Sequence, residues 1–297
     1  MVAQAVAGPV GHAIGTLGSI SAGGSSRHAR WSSVRANIRR DLTVKDFDTS
    51  IFLGTAGWSL PREQWPAFPD EGTHLQRYAD RFPAVEINSS FYRPHRPATY
   101  AKWAESVPAA FRFCVKLPKQ VTHERRLIAC EEPLERFLHE CGHLGEKLGC
   151  LLVQLPPLLA YDSASAGTFF AALRARHDGP VAIEPRHRSW LDAESLLQQA
   201  QIAHVAADPA PFAEAAEPGG WAGFRYYRLH GSPRIYHSSY AADWLDSLAD
   251  RLADQPDGVA NWCIFDNTAS GAATANALAL QGRLPSNGRQ RHKPKRS

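Results

Sequence analysis

Apolar residues in this chain recur in eight short runs, and each run ends in a polar or charged residue. Short apolar runs bounded by turn-forming residues are typical of buried strands. The runs predict strands at Ile51–Thr55, Ala84–Asn88, Phe111–Lys116, Leu151–Gln154, Val181–Glu184, Ala203–Asp208, Tyr226–His230 and Trp262–Asn267.

Segments with helical periodicity lie between most of these runs and predict helices at 74–82, 99–106, 133–148, 163–177, 193–200, 241–253 and 269–281. Strands that alternate with helices indicate an α/β protein whose parallel sheet is either closed into a barrel or open and doubly wound. Eight strands over 51–282 favour a (β/α)₈ barrel, which needs about 250 residues. The absence of a GxGxxG motif after the first strand also favours it. We therefore predict a TIM-type barrel over 49–282, as a single domain.

Basic residues are concentrated at the two ends of the chain. Residues 1–40 contain five arginines and residues 283–297 contain six basic residues, with no acidic residue in either segment. Without these eleven charges the net charge of +4 becomes −7 for residues 41–282. A mildly acidic barrel does not attract nucleic acid as a whole, although a local basic rim is compatible with it. We predict a disordered extension over 1–48 and a disordered basic tail over 283–297; the start of the chain also has the arginine-rich, acid-free composition of an organellar transit peptide.

Five cysteines, an odd number without CxxC spacing, predict buried reduced thiols rather than disulfides: Cys114, Cys130, Cys141, Cys150 and Cys263. No segment has the roughly 18 uninterrupted apolar residues of a membrane span. Together these features predict a cytoplasmic protein without a membrane partner.

The carboxyl ends of the strands face the active site in a (β/α)₈ barrel, so the polar residues that end the runs are candidate site residues. Glu86 and Asn88 lie two apart on strand two and point the same way. Tyr92 follows on the next loop. Glu86 can act as a general base or acid, or it can pair with an arginine or lysine inside the barrel.

Lys116 ends strand three, and His123 follows in a loop that also carries Arg125 and Arg126. A lysine at a barrel strand end can form a Schiff base, hold a phosphate or balance Glu86. His123 in this cationic loop is a candidate contact for an anion or a metal ion, although a single histidine is more often structural.

Strand five continues into the segment richest in functional groups, which contains Glu184, Arg186, His187 and Trp190 within seven residues. A carboxylate, a guanidinium and an imidazole so close together suit proton transfer beside a bound anion. Aromatic rings after a strand, such as Trp190, suit stacking on sugars or bases, although core packing explains about half of them equally well.

Strands seven and eight add a second group of polar ends. Arg228 and His230 end strand seven, and Tyr236 lies on the loop that follows. Asp266 and Asn267 end strand eight. These side chains come together at one end of the barrel if the strands are parallel.

Two chemistries fit these strand ends. In one, carboxylates and imidazoles bind a divalent metal ion, as in sugar isomerases and metal-dependent nucleases built on barrels. In the other, Lys116, Arg186 and Arg228 clamp a phosphate or carboxylate while a glutamate or histidine moves protons. The cations are as numerous as the carboxylates, and no HExxH or comparable spacing is present. The metal-free chemistry is favoured, so no metal ligand is assigned and no cofactor is required. Binding of a divalent metal ion is kept as an alternative.

Seven blocks carry a family resemblance across almost all of 51–282: Gly54–Ser59, Val85–Arg93, Lys116 through His123, Lys147 through Pro157, Glu184–Trp190, Arg228–Gly231 and Phe265–Thr268. In this order they resemble the YecE-like family, which is defined by domain of unknown function 72. The resemblance implies a TIM-type barrel and supplies no activity. The architecture of the YecE-like family is similar to that of the endonuclease IV and xylose isomerase group. The metal-ligand pattern of that group is not intact in this sequence. Leu60 departs from the family, where an aromatic residue is common.

Two functions follow as expectations. The first is an enzyme, a hydrolase or an isomerase or lyase, that acts on a small phosphorylated or otherwise anionic, sugar-like or nucleic-acid-derived substrate. Arg186, Arg228 and Lys116 hold the anion, Glu86 or Glu184 acts as general base or acid, and His230 or His187 carries a second proton, with Asp266 and Asn88 orienting the others. The second is a non-catalytic barrel that binds a nucleic acid or a metabolite. A metal-dependent enzyme similar to endonuclease IV or xylose isomerase is a further alternative.

Overall fold

The strands form a closed barrel in a computed structural model that describes residues 51–254 and 258–284. The strands of the described residues are β1 Ile51–Thr55, β2 Ala84–Ile87, β3 Arg112–Lys116, β4 Leu148–Gln154, β5 Val181–Glu184, β6 Ile202–His204, β7 Ala206–Asp208, β8 Gly219–Gly220, β9 Phe224–Leu229 and β10 Ala260–Phe265. The predicted extension over 1–48 and nearly all of the predicted tail over 283–297 lie outside the described residues.

Parallel pairing joins β2 to β6 in chain order, and a second parallel set has the order β1-β10-β9-β7. The predicted sixth strand, Ala203–Asp208, is divided in the structure into β6 and β7. It forms the first junction between the two sets, because β6 pairs with β5 of one set and β7 pairs with β9 of the other. Between them, the Val205 N–H donates to the Ile183 carbonyl oxygen at 2.9 Å. At the other junction, Ala56 forms a parallel bridge with Glu86. The eight predicted strands therefore close into the predicted (β/α)₈ TIM-type barrel, and the short β8 is an addition that pairs antiparallel with β6.

Seven helices of the described residues surround the strands, one at each predicted position: α1 His74–Ala79, α2 Pro97–Glu105, α3 Glu131–Cys141, α4 Ser163–Arg174, α5 Glu194–Gln199, α6 Ala242–Ala253 and α7 Ala272–Gln281. The start of α4 shows how the local sequence determines where a helix begins. Asp162 caps it, since its Oδ1 accepts a hydrogen bond from the Ser165 N–H at 2.8 Å. None of these helices is long and apolar enough to cross a membrane.

Strand β1 approaches β2 so closely that only glycine fits at one position. A Cβ atom on Gly54 would lie 2.1 Å from the Ala84 carbonyl oxygen. The Tyr78 hydroxyl of α1 joins the two strands here, since it accepts from the Thr55 N–H at 2.8 Å and donates to the Ala84 carbonyl at 3.0 Å. This contact joins the carboxyl end of β1 to the start of β2 and so fixes the spacing of the two strands.

Side chains inside the barrel change from apolar to charged along the strands. Alternate residues of a strand point inward, so on β9 the inward series is Phe224, Tyr226 and Arg228. Tyr226 stacks on Trp262 of β10, with ring centroids 6.1 Å apart. Aromatic rings thus fill the interior below the carboxyl ends, and charged groups occupy the level above them.

Candidate active site

Arg228 is the centre of a buried ion-pair network at the carboxyl ends of the strands. Its Nε and Nη2 donate to the two oxygens of Glu86 at 3.0 and 2.8 Å. Nη1 donates to Glu184 Oε2 at 3.1 Å, and Nη2 lies 2.9 Å from Asp266 Oδ2. These side chains are at most 5% exposed. One guanidinium therefore pairs with carboxylates that come from β2, from β5 and from the end of β10.

This network gives Arg228 a different position from the predicted anion clamp. The side chain is 1% exposed, and its hydrogen bonds point to carboxylates rather than to the mouth of the barrel. The charges of these carboxylates outweigh the effect of burial and raise the pKa of Arg228 well above its ordinary value. Arg228 holds Glu86 and Glu184 in place, and the alternative in which Glu86 pairs with an arginine inside the barrel matches the structure.

Tyr226 belongs to this network and was not identified from the sequence. Its hydroxyl donates to Glu86 Oε2 at 2.8 Å and lies 3.3 Å from Cys114 Sγ. Burial, followed by the nearby Cys114 and Glu86, raises the pKa of Tyr226 well above its ordinary value, so that the hydroxyl remains a donor. Its position two residues before Arg228 on the same strand face was the available signal.

His230 bridges two carboxylates of the network. Its Nε2 lies 2.9 Å from Glu184 Oε1, and its Nδ1 lies 3.0 Å from Asp266 Oδ2. Burial favours the neutral ring, but the Glu184 charge and the hydrogen bonds to both carboxylates outweigh it and raise the pKa of His230. Burial likewise opposes ionisation of Glu184 and Asp266, yet Arg228 and His230 lower the pKa of both. Each ring nitrogen of His230 therefore lies within hydrogen-bond distance of one carboxylate, and this environment favours the charged ring.

Arg186 connects the network to the mouth of the barrel. Its Nε and Nη2 lie 3.1 and 2.6 Å from Glu184 Oε1, and its Nη2 lies 3.2 Å from His230 Nε2. The side chain is 17% exposed. Burial works against its charge, but Glu184 outweighs this effect and raises the pKa of Arg186. Its Nη1 makes no hydrogen bond within the described residues, so one edge of a permanent cation is free to meet an anion.

Lys116 is a second cation at this level, and no carboxylate of the described residues pairs with it. The residue is 5% exposed, and its Nζ lies 4.2 Å from the centroid of the Phe91 ring. Burial lowers the pKa of Lys116 to about 8, and the positive charge of Arg228 is the next cause. Glu86 forms no direct ion pair with Lys116, because its oxygens accept hydrogen bonds from Arg228 and Tyr226. Its charge nevertheless acts on Lys116 and raises the pKa of this lysine against the effect of burial.

His123 extends the cationic side of the site. Its Nδ1 lies 2.9 Å from the Thr122 hydroxyl, and its ring meets Phe91 edge-on at 4.9 Å. Burial is the main cause that lowers the pKa of His123, followed by the charges of Lys116 and Arg186. The structure thus brings these three predicted residues together on one side of the mouth.

Two of the predicted aromatic residues lie at the mouth. Tyr92 is 69% exposed and packs edge-on against Phe91 at 5.0 Å. Tyr236 is 42% exposed and meets the His230 ring edge-on at 5.7 Å. Tyr236 has φ +69°, an unfavourable backbone conformation for a residue with a side chain. Both rings are available for contact with a ligand.

Three predicted site residues are not brought to the charged network. Trp190 is 2% exposed, and its Nε1 donates to the Leu159 carbonyl at 2.9 Å among the packed helices, so it is a core residue. His187 caps the turn over Arg188–Ala193, where its Nδ1 accepts from the Ser189 N–H. Asn267 is fully buried, and its Nδ2 donates to Ser238 and Asn276. Trp190 and Asn267 thus follow strand ends in sequence but are buried in packing contacts, and the side-chain hydrogen bonds of His187 within the described residues are made to Ser189.

Asn88 lines a separate cleft of about 340 Å³ between the ends of β1 and β2. Trp58 and Ser89 also line this cleft. The Asn88 Oδ1 atom is buried and has no hydrogen-bond partner among the residues that the structure describes. The cleft opens at the same end of the barrel as the network, because Asn88 follows Glu86 by two residues.

No group of three or more His, Cys, Asp or Glu side chains within 51–254 and 258–284 is arranged to hold a metal ion. The carboxylates of Glu86, Glu184 and Asp266 accept hydrogen bonds from Arg228 or His230 instead. These carboxylates therefore belong to an ion-pair network, and the cations Arg186 and Lys116 lie between this network and the mouth of the barrel.

Comparison with known proteins agrees with this architecture. The family sequence profile described as "Protein of unknown function DUF72" matches residues 52–297. UPF0759 protein YecE of Escherichia coli is 32% identical over 106 residues, which are 36% of this chain and 38% of YecE. UPF0759 protein YunF of Bacillus subtilis is 29% identical over 151 residues, which are 47% of this chain and 52% of YunF. The chain thus spans about half or less of the length of the curated relatives it matches.

Two solved structures support the fold. A DUF72 family protein of Thermotoga maritima has a TM-score of 0.65 at 24% identity and covers 78% of this chain and 98% of its own. A DUF72 family protein of Enterococcus faecalis has a TM-score of 0.64 at 23% identity and covers 79% of this chain and 95% of its own. Since the family profile covers the whole barrel, the chain belongs to the DUF72 family, the YecE-like proteins of unknown function.

Proposed function

We propose that the barrel is an enzyme that acts by general acid/base chemistry on a small phosphorylated or otherwise anionic substrate, sugar-like or derived from nucleic acid. The observation that carries this proposal is the position of His230, between Glu184 and Asp266 and beside two cations, Arg186 and Lys116, of which Lys116 forms no ion pair within the described residues. A proton donor next to two cations suits a reaction in which an anionic group anchors the substrate.

Each residue has a defined role in this proposal. Arg186, Lys116 and His123 bind the anion, and Tyr92 contacts the remainder of the substrate. His230 donates the proton, while Glu184 and Asp266 keep its ring charged and oriented. Glu86 and Arg228 are positioning residues, because neither reaches the mouth. Substrate entry displaces Tyr236, whose ring covers His230.

The anion site is tested with inorganic phosphate as the probe. Arg186→Gln should weaken phosphate binding measured by titration calorimetry by roughly tenfold or more, since a charge-assisted contact is lost. Arg188→Gln is the matched control: Arg188 is two residues away, 69% exposed and paired with Glu214. Equal binding by wild type and Arg186→Gln would overturn the anion site.

Turnover is tested by following a panel of sugar phosphates and nucleotides by ³¹P and ¹H NMR. His230→Gln should abolish conversion of any substrate found while phosphate binding is retained, because the variant keeps the anion site and loses the proton donor. Phosphate binding without turnover across the panel would favour the non-catalytic binding barrel. Turnover only after addition of Mg²⁺, Mn²⁺ or Zn²⁺ would favour the metal-dependent alternative.

The cysteines bear on the compartment. All five are buried free thiols. We propose a cytoplasmic location on this basis, because reduced thiols are maintained there. Fractionation followed by immunoblotting checks it.

A further inference from the structure

We infer that Lys116 is a nucleophile that forms a Schiff base with an aldehyde or ketone group of the substrate. The substrate class is therefore an anionic carbonyl compound, whose phosphate or carboxylate lies against Arg186 and His123. The inference rests on the proposed function and assigns Lys116 a covalent role in the same site.

The pairing of charges singles out Lys116. Carboxylates at this level accept hydrogen bonds from Arg228, Arg186 or His230, and no carboxylate of the described residues is within ion-pair distance of Lys116. Its Nζ has no hydrogen-bond partner among them and packs over the Phe91 ring. Burial of an ammonium without an ion-pair partner is unfavourable, although the Phe91 face attracts the charged form through a cation–π contact. The net effect at this position lowers the pKa of Lys116 to about 8, so the neutral amine that attacks carbonyl carbon is populated near neutral pH.

Burial has the largest effect on the pKa of Lys116, and the surrounding charges act in both directions: Arg228 lowers it, whereas the carboxylates of Glu86, Glu184 and Asp266 raise it. Burial, followed by Arg228, lowers the pKa of Lys116 to about 8. This shift raises the neutral fraction at pH 7 from roughly 0.03% for an ordinary lysine to roughly 10%. The charged or titratable groups that act on Lys116 from the neighbouring elements are Arg228 on β9, Glu86 on β2, Glu184 on β5, Asp266 after β10 and His123 after β3. A desolvated lysine next to another cation is an established route to a nucleophilic amine.

The covalent step is balanced without an oxidant or a reductant. The Lys116 nitrogen lone pair attacks the carbonyl carbon, and the C=O π electrons move to oxygen, which takes up a proton. The resulting carbinolamine loses the hydroxyl group as water after protonation, with His230 as the acid, and the nitrogen releases a proton. The products are a C=N bond to Lys116 and one molecule of water.

The inference is tested with pyridoxal 5′-phosphate, a phosphorylated aldehyde, followed by borohydride reduction of the imine. Tryptic mapping by mass spectrometry identifies the labelled lysine. The matched variants are Lys116→Met and Lys119→Met; Lys119 lies on the same loop and forms an exposed ion pair with Glu124. Pyridoxal without the phosphate serves as the probe for the anion contribution.

We expect labelling of Lys116 at pH 7 at least roughly tenfold faster than that of Lys119, with a pH midpoint near 8. Inorganic phosphate should slow it, and pyridoxal should label Lys116 more slowly. Labelling should disappear in Lys116→Met and persist in Lys119→Met. A circular dichroism melting curve confirms that both variants are folded. Labelling confined to other lysines, or equal rates at Lys116 and Lys119, would overturn the inference.

Phosphate calorimetry separates this failure from failure of the proposed function. If phosphate binds through Arg186 but Lys116 is not labelled, the anion site stands and the Schiff base is wrong. If phosphate does not bind and Lys116 is not labelled, both are wrong. If Lys116 is labelled equally by pyridoxal and its phosphate, the nucleophile stands and the anion site is wrong.

Discussion

The interior and the mouth of this barrel use the same residue types in opposite ways. Inside, Arg228 is surrounded by Glu86, Glu184 and Asp266, and its charge and theirs offset one another. At the mouth, Lys116 forms no ion pair and Arg186 Nη1 forms no hydrogen bond with any of the residues that the structure describes. The difference teaches that pairing, rather than residue type, separates a cation that supports the site from a cation that can act on a ligand.

The sharpest test of the comparison removes the interior cation. Arg228→Met leaves three buried carboxylates facing one another, so we expect a loss of about 3–5 kcal/mol in the free energy of unfolding. Urea denaturation followed by fluorescence measures it. Arg188→Met, which removes an exposed pair, is the control and should change the stability little. A change of similar size in both variants would contradict the interior role of Arg228.

The second test removes the mouth cation and has the opposite sign. Because the folded state lowers the pKa of Lys116 to about 8, its ionised form destabilises the fold below that pH. This penalty is relieved as the pH rises from about 8 towards the ordinary value of 10.5. Lys116→Met should therefore raise the free energy of unfolding at pH 7 by about 1–3 kcal/mol.

The pH profile distinguishes this cause from a simple packing gain. Urea midpoints measured between pH 6 and 10 should show the advantage of Lys116→Met shrinking above pH 8. Lys119→Met supplies the reference curve, since its side chain is about half exposed. Destabilisation by Lys116→Met at pH 7 would contradict a net cost of burying the Lys116 charge.

The smallest test compares two tyrosines. Tyr226→Phe removes one donor from buried Glu86 and should cost about 1 kcal/mol in thermal or urea unfolding. Tyr92→Phe alters a ring that is 69% exposed and should leave stability unchanged. If Tyr92→Phe proved the more damaging, Tyr92 would have to be a packing residue rather than one available to a ligand.

Periodicity along the chain was enough to predict the barrel and its polar strand ends. The apolar runs are visible in the sequence because each strand is buried along its own length. Pairs of side chains on one face, such as Glu86 and Asn88, follow from the alternation of side chains along a strand. The partners of Arg228 could not be predicted, because β2 and β9 meet only when the barrel closes, and this brings together residues 142 apart. The sequence therefore placed Arg228 in an anion clamp, whereas in the structure its guanidinium donates to the buried carboxylates of Glu86 and Glu184.

Trp190 and Val205 show two further limits of local reasoning. An aromatic residue after a strand has the same sequence signal whether it turns to the mouth or, as Trp190 does, back among the helices. The division of the sixth predicted strand at Val205 depends on how the two parallel sets of strands meet. Both outcomes are decided by packing between distant segments, which short-range patterns do not contain.

The contact between Gly54 and Ala84 gives a criterion for recognising distant relatives. Since a Cβ atom at position 54 would lie 2.1 Å from a main-chain oxygen, no side-chain adjustment can accommodate one. Any protein that closes its barrel in this way must keep glycine there, whatever its substrate. A relative with another residue at this place would have to move β1 away from β2, so this glycine reports on the spacing of the strands independently of the charged residues at the mouth.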